Sequence, residues 1–148
     1  MKNILSNTIF FDQVEQYIAA GQSIRIPLKG YSMRPLIPDG YAVELHPCIQ
    51  EEIVPGAVVL FRYHNTHVLH RVIQRTGDRL ILQGDGNISK QEKAHTDDVV
   101  AIVRTIISPS GHIRHTDSTS WKIRSYIWLK LCPLRRYLLA IYGRLYKR

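Results

Sequence analysis

Five prolines interrupt residues 27–55, and no long helix can pass through a stretch broken so often. Between residues 23 and 107 the apolar residues fall in short runs, several alternating with polar residues, which is typical of strands. A Gly77-Asp78 pair separates two of these runs and predicts a hairpin turn. The pattern predicts a mainly β fold, a small antiparallel barrel or sandwich, with strands at 24–26, 42–45, 58–62, 68–74, 79–83 and 99–107.

Helical spacing of apolar residues is found on both sides of this β region. Residues 8–20 predict a short amphipathic helix that covers the body and ends at Gly21. After the polar, turn-rich residues 108–120, the tail predicts a basic amphipathic helix that Pro133 kinks or divides. For a chain of 148 residues we expect one domain, organised as an N-terminal helix, a β domain, a linker and a helical tail at 1–21, 22–107, 108–120 and 121–148.

The positive charge is concentrated in the tail. The chain has 20 Lys and Arg against 12 Asp and Glu, but residues 118–148 hold eight of the cations and none of the acids. A generally basic nucleic-acid-binding body is therefore excluded. Three interpretations of the tail remain: an interfacial helix on an anionic membrane, packing on the body or a partner, and contact with nucleic acid, the least favoured. The membrane interpretation is supported by aromatic residues, Tyr126, Trp128, Tyr137, Tyr142 and Tyr146.

Other features exclude several kinds of site. Cys48 and Cys132 are far apart, so neither a disulfide framework nor a cysteine-built zinc site is expected. His64, His67 and His70 are spaced by three, which does not put all of them on one face of a strand, and we expect no metal and no cofactor. Neither a signal peptide nor a membrane-spanning run is evident. We therefore expect a cytoplasmic protein, peripheral to the inner membrane face if the tail binds lipid.

Three segments bring together residue types that could carry out nucleophilic catalysis. Residues 30–40 contain Ser32, residues 68–73 contain His70, and residues 83–87 contain Asp85. A serine hydroxyl is a poor nucleophile unless a base lies within hydrogen-bonding reach, and the base benefits from a third group that orients it. These three residues could supply the three roles.

The same segments resemble known motifs. GYSMRPLIPDG, at residues 30–40, resembles the nucleophile box of the signal-peptidase and LexA-like serine peptidases. VLHRVI resembles the base box of the endoplasmic-reticulum-type signal peptidases, in which His replaces the Lys of the bacterial type. LQGDGN resembles their Gly-Asp-Asn box, and VPGAVV resembles the strand between the first two boxes. All four occur in family order across residues 22–105, as in the small, anchorless bacterial members.

This resemblance implies a mostly antiparallel β fold with a shallow groove, and serine endopeptidase activity without a metal. Ser32 matches the nucleophile, His70 the general base, and Asp85 the acid that holds the base. The backbone N–H of Ser32 would be an oxyanion donor. Met33 would line the groove, together with Gly30 and Tyr31.

Some positions depart from the family pattern. Gly30 stands where the family often has a serine two residues before the nucleophile, and Gly40-Tyr41 replaces the usual Gly-Asp. The endoplasmic-reticulum type has an acidic pair shortly after its Gly-Asp-Asn box. Here Lys90-Gln91 holds those positions, and the nearest pair is Asp97-Asp98. Either Asp85 or this pair could orient the histidine.

The sequence thus predicts a serine endopeptidase with a Ser32/His70 dyad, which cleaves an extended peptide such as a leader segment docked beside a strand. One alternative is a non-catalytic peptide- or partner-binding module on the same fold. Others are a LexA-like regulator that cleaves itself, and a membrane-surface adaptor that acts through residues 121–148. The substrate's identity and the oligomeric state stay open.

Overall fold

The computed structural model describes residues 4–146, without the side chains of residues 4–8 and Cys132. Lys147 and Arg148, which belong to the predicted tail, lie outside the described residues. The chain forms three helices and eight strands. In order they are α1 (Ile4–Ala19), β1 (Ile24–Pro27), β2 (Ala42–His46), β3 (Val58–Tyr63), β4 (Thr66–Thr76), β5 (Arg79–Gln83), β6 (Glu92–His95), β7 (Val99–Ile107), β8 (Ile113–His115), α2 (Thr119–Lys130) and α3 (Arg135–Leu145).

The protein is mainly β, and its eight strands form one antiparallel sheet. The strand order is β1-β2-β7-β3-β4-β5-β6, with β8 paired to β7 beside this path. Among the described residues β1 and β6 do not pair with each other, so the sheet is open. The prediction was a barrel or a sandwich, and the barrel alternative is wrong, because closure requires hydrogen bonds between the first and last strands of the order.

All six predicted strands are present, but two strands were not predicted. β6 is polar in sequence, yet it buries Glu92 and Ala94 while its other two residues are exposed. β8 lies within the predicted linker and is exposed throughout, so it has no apolar pattern to mark it. Its pairing with residues 105–107 of β7 shows that 108–120 is not simply a linker.

A tight hairpin joins β3 to β4 and determines which residues of β4 face β3. His64 and Asn65 have positive φ angles of 49° and 61° and form a two-residue loop between the paired residues Tyr63 and Thr66. Two successive residues with positive φ are the signature of a type I′ turn, whose twist matches that of paired strands. The resulting register sets His70 opposite Val59.

Strand β3 is buried on both faces and separates two apolar clusters. Val58 and Leu60 belong to a first cluster, which also contains residues from α1, β1, β2, β7 and α2. Val59 and Phe61 belong to a second cluster, built mainly from β4, β5 and β6. Because side chains alternate across a strand, β3 supplies both clusters and holds the two parts of the sheet together.

Helix α1 covers the first cluster and contributes the side chains of Val14 and Ile18 to it. In the described residues it begins at Ile4, four residues before the predicted start, and it ends at Ala19, one residue before the predicted end. Gly21 has a φ of 81°, its N–H donates to the Ile18 carbonyl, and the N–H of Gln22 donates to the Tyr17 carbonyl. This pair of bonds is a Schellman motif, which needs a left-handed residue and so favours glycine.

An ion pair ties α1 to the sheet. Arg62 donates to both carboxylate oxygens of Glu15, at 2.5 Å from Nη2 and 3.0 Å from Nε, and His67 Nε2 lies 2.5 Å from the same carboxylate. The hydrogen bond from Arg62 is the main cause that lowers the pKa of Glu15 below its ordinary value of 4.5. The ionised carboxylate therefore stabilises the folded state.

We expect Glu15→Gln to destabilise the protein at pH 7 by up to about 1 kcal/mol, the usual range for partly exposed ion pairs. Because the folded-state pKa is lowered, this contribution is present above the ordinary value and is lost as pH falls through the folded value. Urea unfolding of both proteins at pH 7 and pH 3 measures the difference, which should shrink at the lower pH. Glu51→Gln, at an exposed carboxylate with no hydrogen bond to any described residue, is the control. An equal difference at both pH values would contradict this account.

The tail forms two helices separated at Pro133, as predicted, and it packs on the body. Ser118 caps α2 by accepting a hydrogen bond from the Trp121 N–H. Trp121 joins the first cluster, Trp128 is buried, and α3 buries Arg135 and Leu139. Of the described helices, none is long and apolar enough to cross a membrane. The inner faces of both helices are therefore part of the protein's own core.

Candidate active site

Ser32 lies at an exposed position in the loop that joins β1 to β2. In this loop Gly30 has a φ of 97° and donates its N–H to the Asp39 carboxylate at 2.7 Å. Met33 and Ile37 are buried in the first cluster on either side of the loop's central turn. The serine is thus held at the surface by neighbours that are fixed in the core.

His70 lies on β4 and is 7% exposed. Its Nδ1 is 2.6 Å from Oε1 of Glu92, a carboxylate on β6 that is 2% exposed. An ionised carboxylate can only accept, so the hydrogen bond requires a proton on Nδ1. In the neutral ring this tautomer leaves the lone pair on Nε2, which is the nitrogen that can act as a base.

The free nitrogen of His70 faces the loop of Ser32 across Gly84. A methyl group added to the Gly84 α-carbon would collide with the Ser32 carbonyl oxygen and would lie 2.9 Å from His70 Nε2. Next to it, the Gly86 N–H donates to the Ser32 carbonyl at 2.7 Å. The loop of Ser32 and the histidine therefore meet at this point, and only glycine leaves the space between them open.

Asp85 does not orient His70, and the sequence-based assignment of that role is wrong. Its carboxylate is fully buried and accepts two hydrogen bonds from Arg71, at 2.8 Å from Nε and 2.7 Å from Nη2. Arg71 also donates to the Gly56 carbonyl at 2.8 Å. His70 directly precedes Arg71 on β4, so the two side chains point to opposite faces of the strand. Asp85, which is bonded to Arg71, is therefore separated from Glu92, which is bonded to His70.

The alternative pair does not hold the histidine either. Asp98 accepts the backbone N–H of His95, and Asp97 is exposed. The acid that reaches His70 is Glu92. It was not predicted, because the resemblance pointed to Asp85 or to an acidic pair, and Glu92 is neither. A signal was present: Glu92 directly follows Lys90-Gln91, the positions at which the family pattern has acids.

Side chains of the tail helices donate hydrogen bonds to the backbone of the Gly-Asp-Gly-Asn loop at residues 84–87. Trp128 Nε1 donates to the Asp85 carbonyl at 3.0 Å, and Arg135 Nη1 donates to the carbonyls of Gly84 and Asn87, both at 3.3 Å. These contacts support the loop that faces both Ser32 and His70. The tail is therefore part of the framework of the site.

A groove of about 770 Å³ contains both Ser32 and His70 on its wall. Gly30 and Met33 also line it. Tyr31 does not line this groove; it lines a neighbouring depression. The Arg34 guanidinium lies over the Tyr31 ring, with its Cζ atom 4.4 Å from the ring centroid. The rest of the groove wall is mostly apolar and is formed by Phe10, Phe11, Ile26, Pro27, Leu28, Lys29, Ile37, Leu60, His67, Val68 and Leu69.

Metal-ligating side chains do not gather in this region. Among the side chains that the structure describes, there is no group of three or more His, Cys, Asp or Glu that could hold a metal ion. His67 is bonded to Glu15 and stacks on Phe11, with ring centroids 4.8 Å apart.

No protein-family model matches this chain, and neither does any curated protein or any solved structure. The fold and site together define a mainly β protein in which a serine and a histidine line one groove and a buried glutamate is bonded to the histidine.

Proposed function

We propose that the protein is a serine endopeptidase of the signal-peptidase-like class, with Ser32 as nucleophile, His70 as general base and Glu92 as the positioning acid. The observation that carries the proposal is the arrangement of His70. One ring nitrogen is bonded to a buried carboxylate and the other faces the nucleophile loop in an open groove. A histidine that served only the fold would have no need to present its second nitrogen to a groove that an exposed serine also lines.

The reaction follows from these positions. Ser32 Oγ attacks the scissile carbonyl carbon while His70 Nε2 takes the hydroxyl proton. The carboxylate of Glu92 stabilises the imidazolium that forms. The Ser32 N–H donates to no described residue, so it is available to the oxyanion. His70 then protonates the leaving amine, the C–N bond breaks, and a water activated by the same nitrogen hydrolyses the acyl-enzyme.

Two unpaired strand edges suit an extended substrate. Among the described strands, β1 pairs only with β2. The pairing of β4 with β5 begins at Arg71, so residues 66–70 of β4 pair with no described strand except β3. Pro27 at the end of β1 and residues 67–70 of β4 both line the groove. A peptide lying there could add to a strand edge, a common mode of peptide recognition. The apolar wall favours apolar side chains near the scissile bond.

The proposal is tested by incubating the purified protein with a peptide library and identifying new N-termini by mass spectrometry. We expect cleavage sites that share apolar residues near the scissile bond, and no such sites when His70→Ala replaces the wild type. If a folded wild-type sample produces no new termini from a diverse library, the peptidase proposal is wrong. Retention of peptides by that same sample would support the peptide-binding module instead.

Glu92→Gln isolates the positioning role. The amide keeps the shape of the side chain but carries no negative charge to stabilise the imidazolium. We expect kcat to fall by about 10²-fold to 10⁴-fold with KM nearly unchanged, as when the acid of a serine triad is neutralised. Steady-state kinetics on a cleaved peptide measures both constants.

A merely structural role for Glu92 predicts a different result, in which kcat and KM change together with the unfolding midpoint. Asp98→Asn is a suitable control, because Asp98 belongs to the alternative acidic pair and bonds only to the His95 backbone. That variant should retain kcat. A loss at Asp98→Asn as large as that at Glu92→Gln would reject the assignment of Glu92.

A further inference from the structure

We infer that the outward side of the tail helices is a docking surface for an anionic lipid bilayer. This surface, the outer tail face, consists of the exposed apolar and basic residues of α2 and α3, of Leu134 between the helices and of Tyr146 directly after α3. The inference is independent of the peptidase activity, because none of its residues belongs to the catalytic groove. Its apolar members are Ile123, Tyr126, Ile127, Leu134, Tyr137, Ile141, Leu145 and Tyr146.

Helix α2 carries large apolar residues on two opposite sides. In α2, Trp121, Ser125 and Trp128 recur at helical spacing on the buried side. Ile123 and Ile127 project from the opposite side and are 53% and 50% exposed. Packing on the body therefore accounts for one apolar side only, and the other is left facing outward.

This exposure is concentrated in the tail. Eight of the sixteen large hydrophobic side chains that are exposed in the described chain lie between residues 123 and 146, and Leu145 reaches 73%. Scattered apolar residues are normal on protein surfaces, but a group of this size commonly marks an interaction site.

The charge of the outer tail face indicates the partner. Five exposed cations lie among the apolar residues, and none forms an ion pair with any other described residue: Lys122, Arg124, Lys130, Arg136 and Arg144. The helices contain no acid. A surface with aliphatic side chains, interfacial tyrosines and unpaired cations matches the interface of a bilayer with anionic headgroups.

Two other partners fit less well. A second copy of this chain would bring two acid-free basic surfaces together, and like charges oppose such contact. Nucleic acid would satisfy the cations and could stack on the tyrosines, but it offers nothing to the exposed isoleucines and leucines. A bilayer accommodates both the charge and the aliphatic side chains.

The inference is tested by sedimentation with phosphatidylglycerol-containing vesicles and with pure phosphatidylcholine vesicles, on the full chain. We expect binding to the anionic vesicles that weakens steeply between low and high salt. Replacing Arg124 and Arg144 by Gln should weaken it about fivefold for each cation removed. Replacing Ile127 and Ile141 by Asn should weaken it further at any salt concentration. Ser32→Ala should bind as the wild type does.

Matched substitutions on the body provide the controls. Lys90→Gln removes an exposed cation and Ile49→Asn an exposed isoleucine, both away from the tail, and neither should change binding. The inference is overturned if these variants weaken binding as much as the tail variants. It is also overturned if wild-type protein ignores anionic vesicles, or if the tail substitutions abolish self-association or nucleic-acid capture instead. The wild-type comparison of the two vesicle types decides the matter even if a tail variant fails to fold.

Discussion

Ser32→Ala should reduce the rate of peptide cleavage by about 10⁵-fold to 10⁶-fold, the loss measured when the nucleophile of a serine triad is removed. The substitution deletes one hydroxyl from an exposed loop position, so the fold should be unaffected. Without the hydroxyl, His70 has no proton to accept and no acyl-enzyme can form. The measurement is the initial rate on a peptide that spans a cleavage site found with the wild type.

A matched serine separates this loss from a general effect of substitution. Ser89 is also exposed and forms no hydrogen bond with any described residue, so Ser89→Ala should cleave at the wild-type rate. Mass spectrometry of cells that carry wild-type or Ser32→Ala protein extends the comparison to natural substrates. If folded Ser32→Ala protein cleaves at more than about a hundredth of the wild-type rate, Ser32 is not the nucleophile.

Asp85→Asn should lower the free energy of unfolding by about 3–5 kcal/mol, because it leaves the charge of Arg71 buried without its counter-ion. Both side chains are fully buried, and two hydrogen bonds join them. Urea unfolding monitored by tryptophan fluorescence measures the change. Asp97→Asn, at an exposed carboxylate with no contact to another described side chain, should be nearly neutral.

A double substitution tests whether the effect comes from the unpaired charge. Replacing Arg71 by Met and Asp85 by Leu together removes both charges, and such replacements of buried ion pairs are often neutral or stabilising. We expect the double variant to be more stable than Asp85→Asn. A variant Asp85→Asn that unfolds as the wild type does, but fails to cleave, would return Asp85 to the catalytic role predicted from the sequence.

His70 and Arg71 are neighbours on β4, but they are bonded to different acids, Glu92 and Asp85. His70 and Arg71 point to opposite faces of the strand, and each finds a buried carboxylate there. On one face the pair stabilises the loop that begins at Gly84. On the other, the Glu92 carboxylate accepts a hydrogen bond from His70. The acid of the loop at residues 84–87 is Asp85, and its carboxylate is bonded to Arg71 instead.

Much of the local structure was predictable because it depends on local sequence. Alternating apolar residues and proline positions predicted six strands, and Gly21 and Pro133 predicted where helices end. These features act through backbone conformation within a few residues, so a pattern in the chain is enough to reveal them. β6 and β8 were not predicted because neither has an alternating apolar run. One of the two buried positions of β6 is a glutamate.

The sequence by itself determined the mainly β character, the segments that carry Ser32 and His70, and the concentration of charge in the tail. Only the tertiary structure decided that the sheet stays open, that α2 and α3 pack their inner faces on the body, and that Glu92 rather than Asp85 reaches His70. The physical reason is register. Glu92 on β6 pairs with Leu82 on β5. The next residue of β5, Gln83, pairs with Arg71 on β4. Hydrogen bonds between strands set these partners, and spacing along the chain does not.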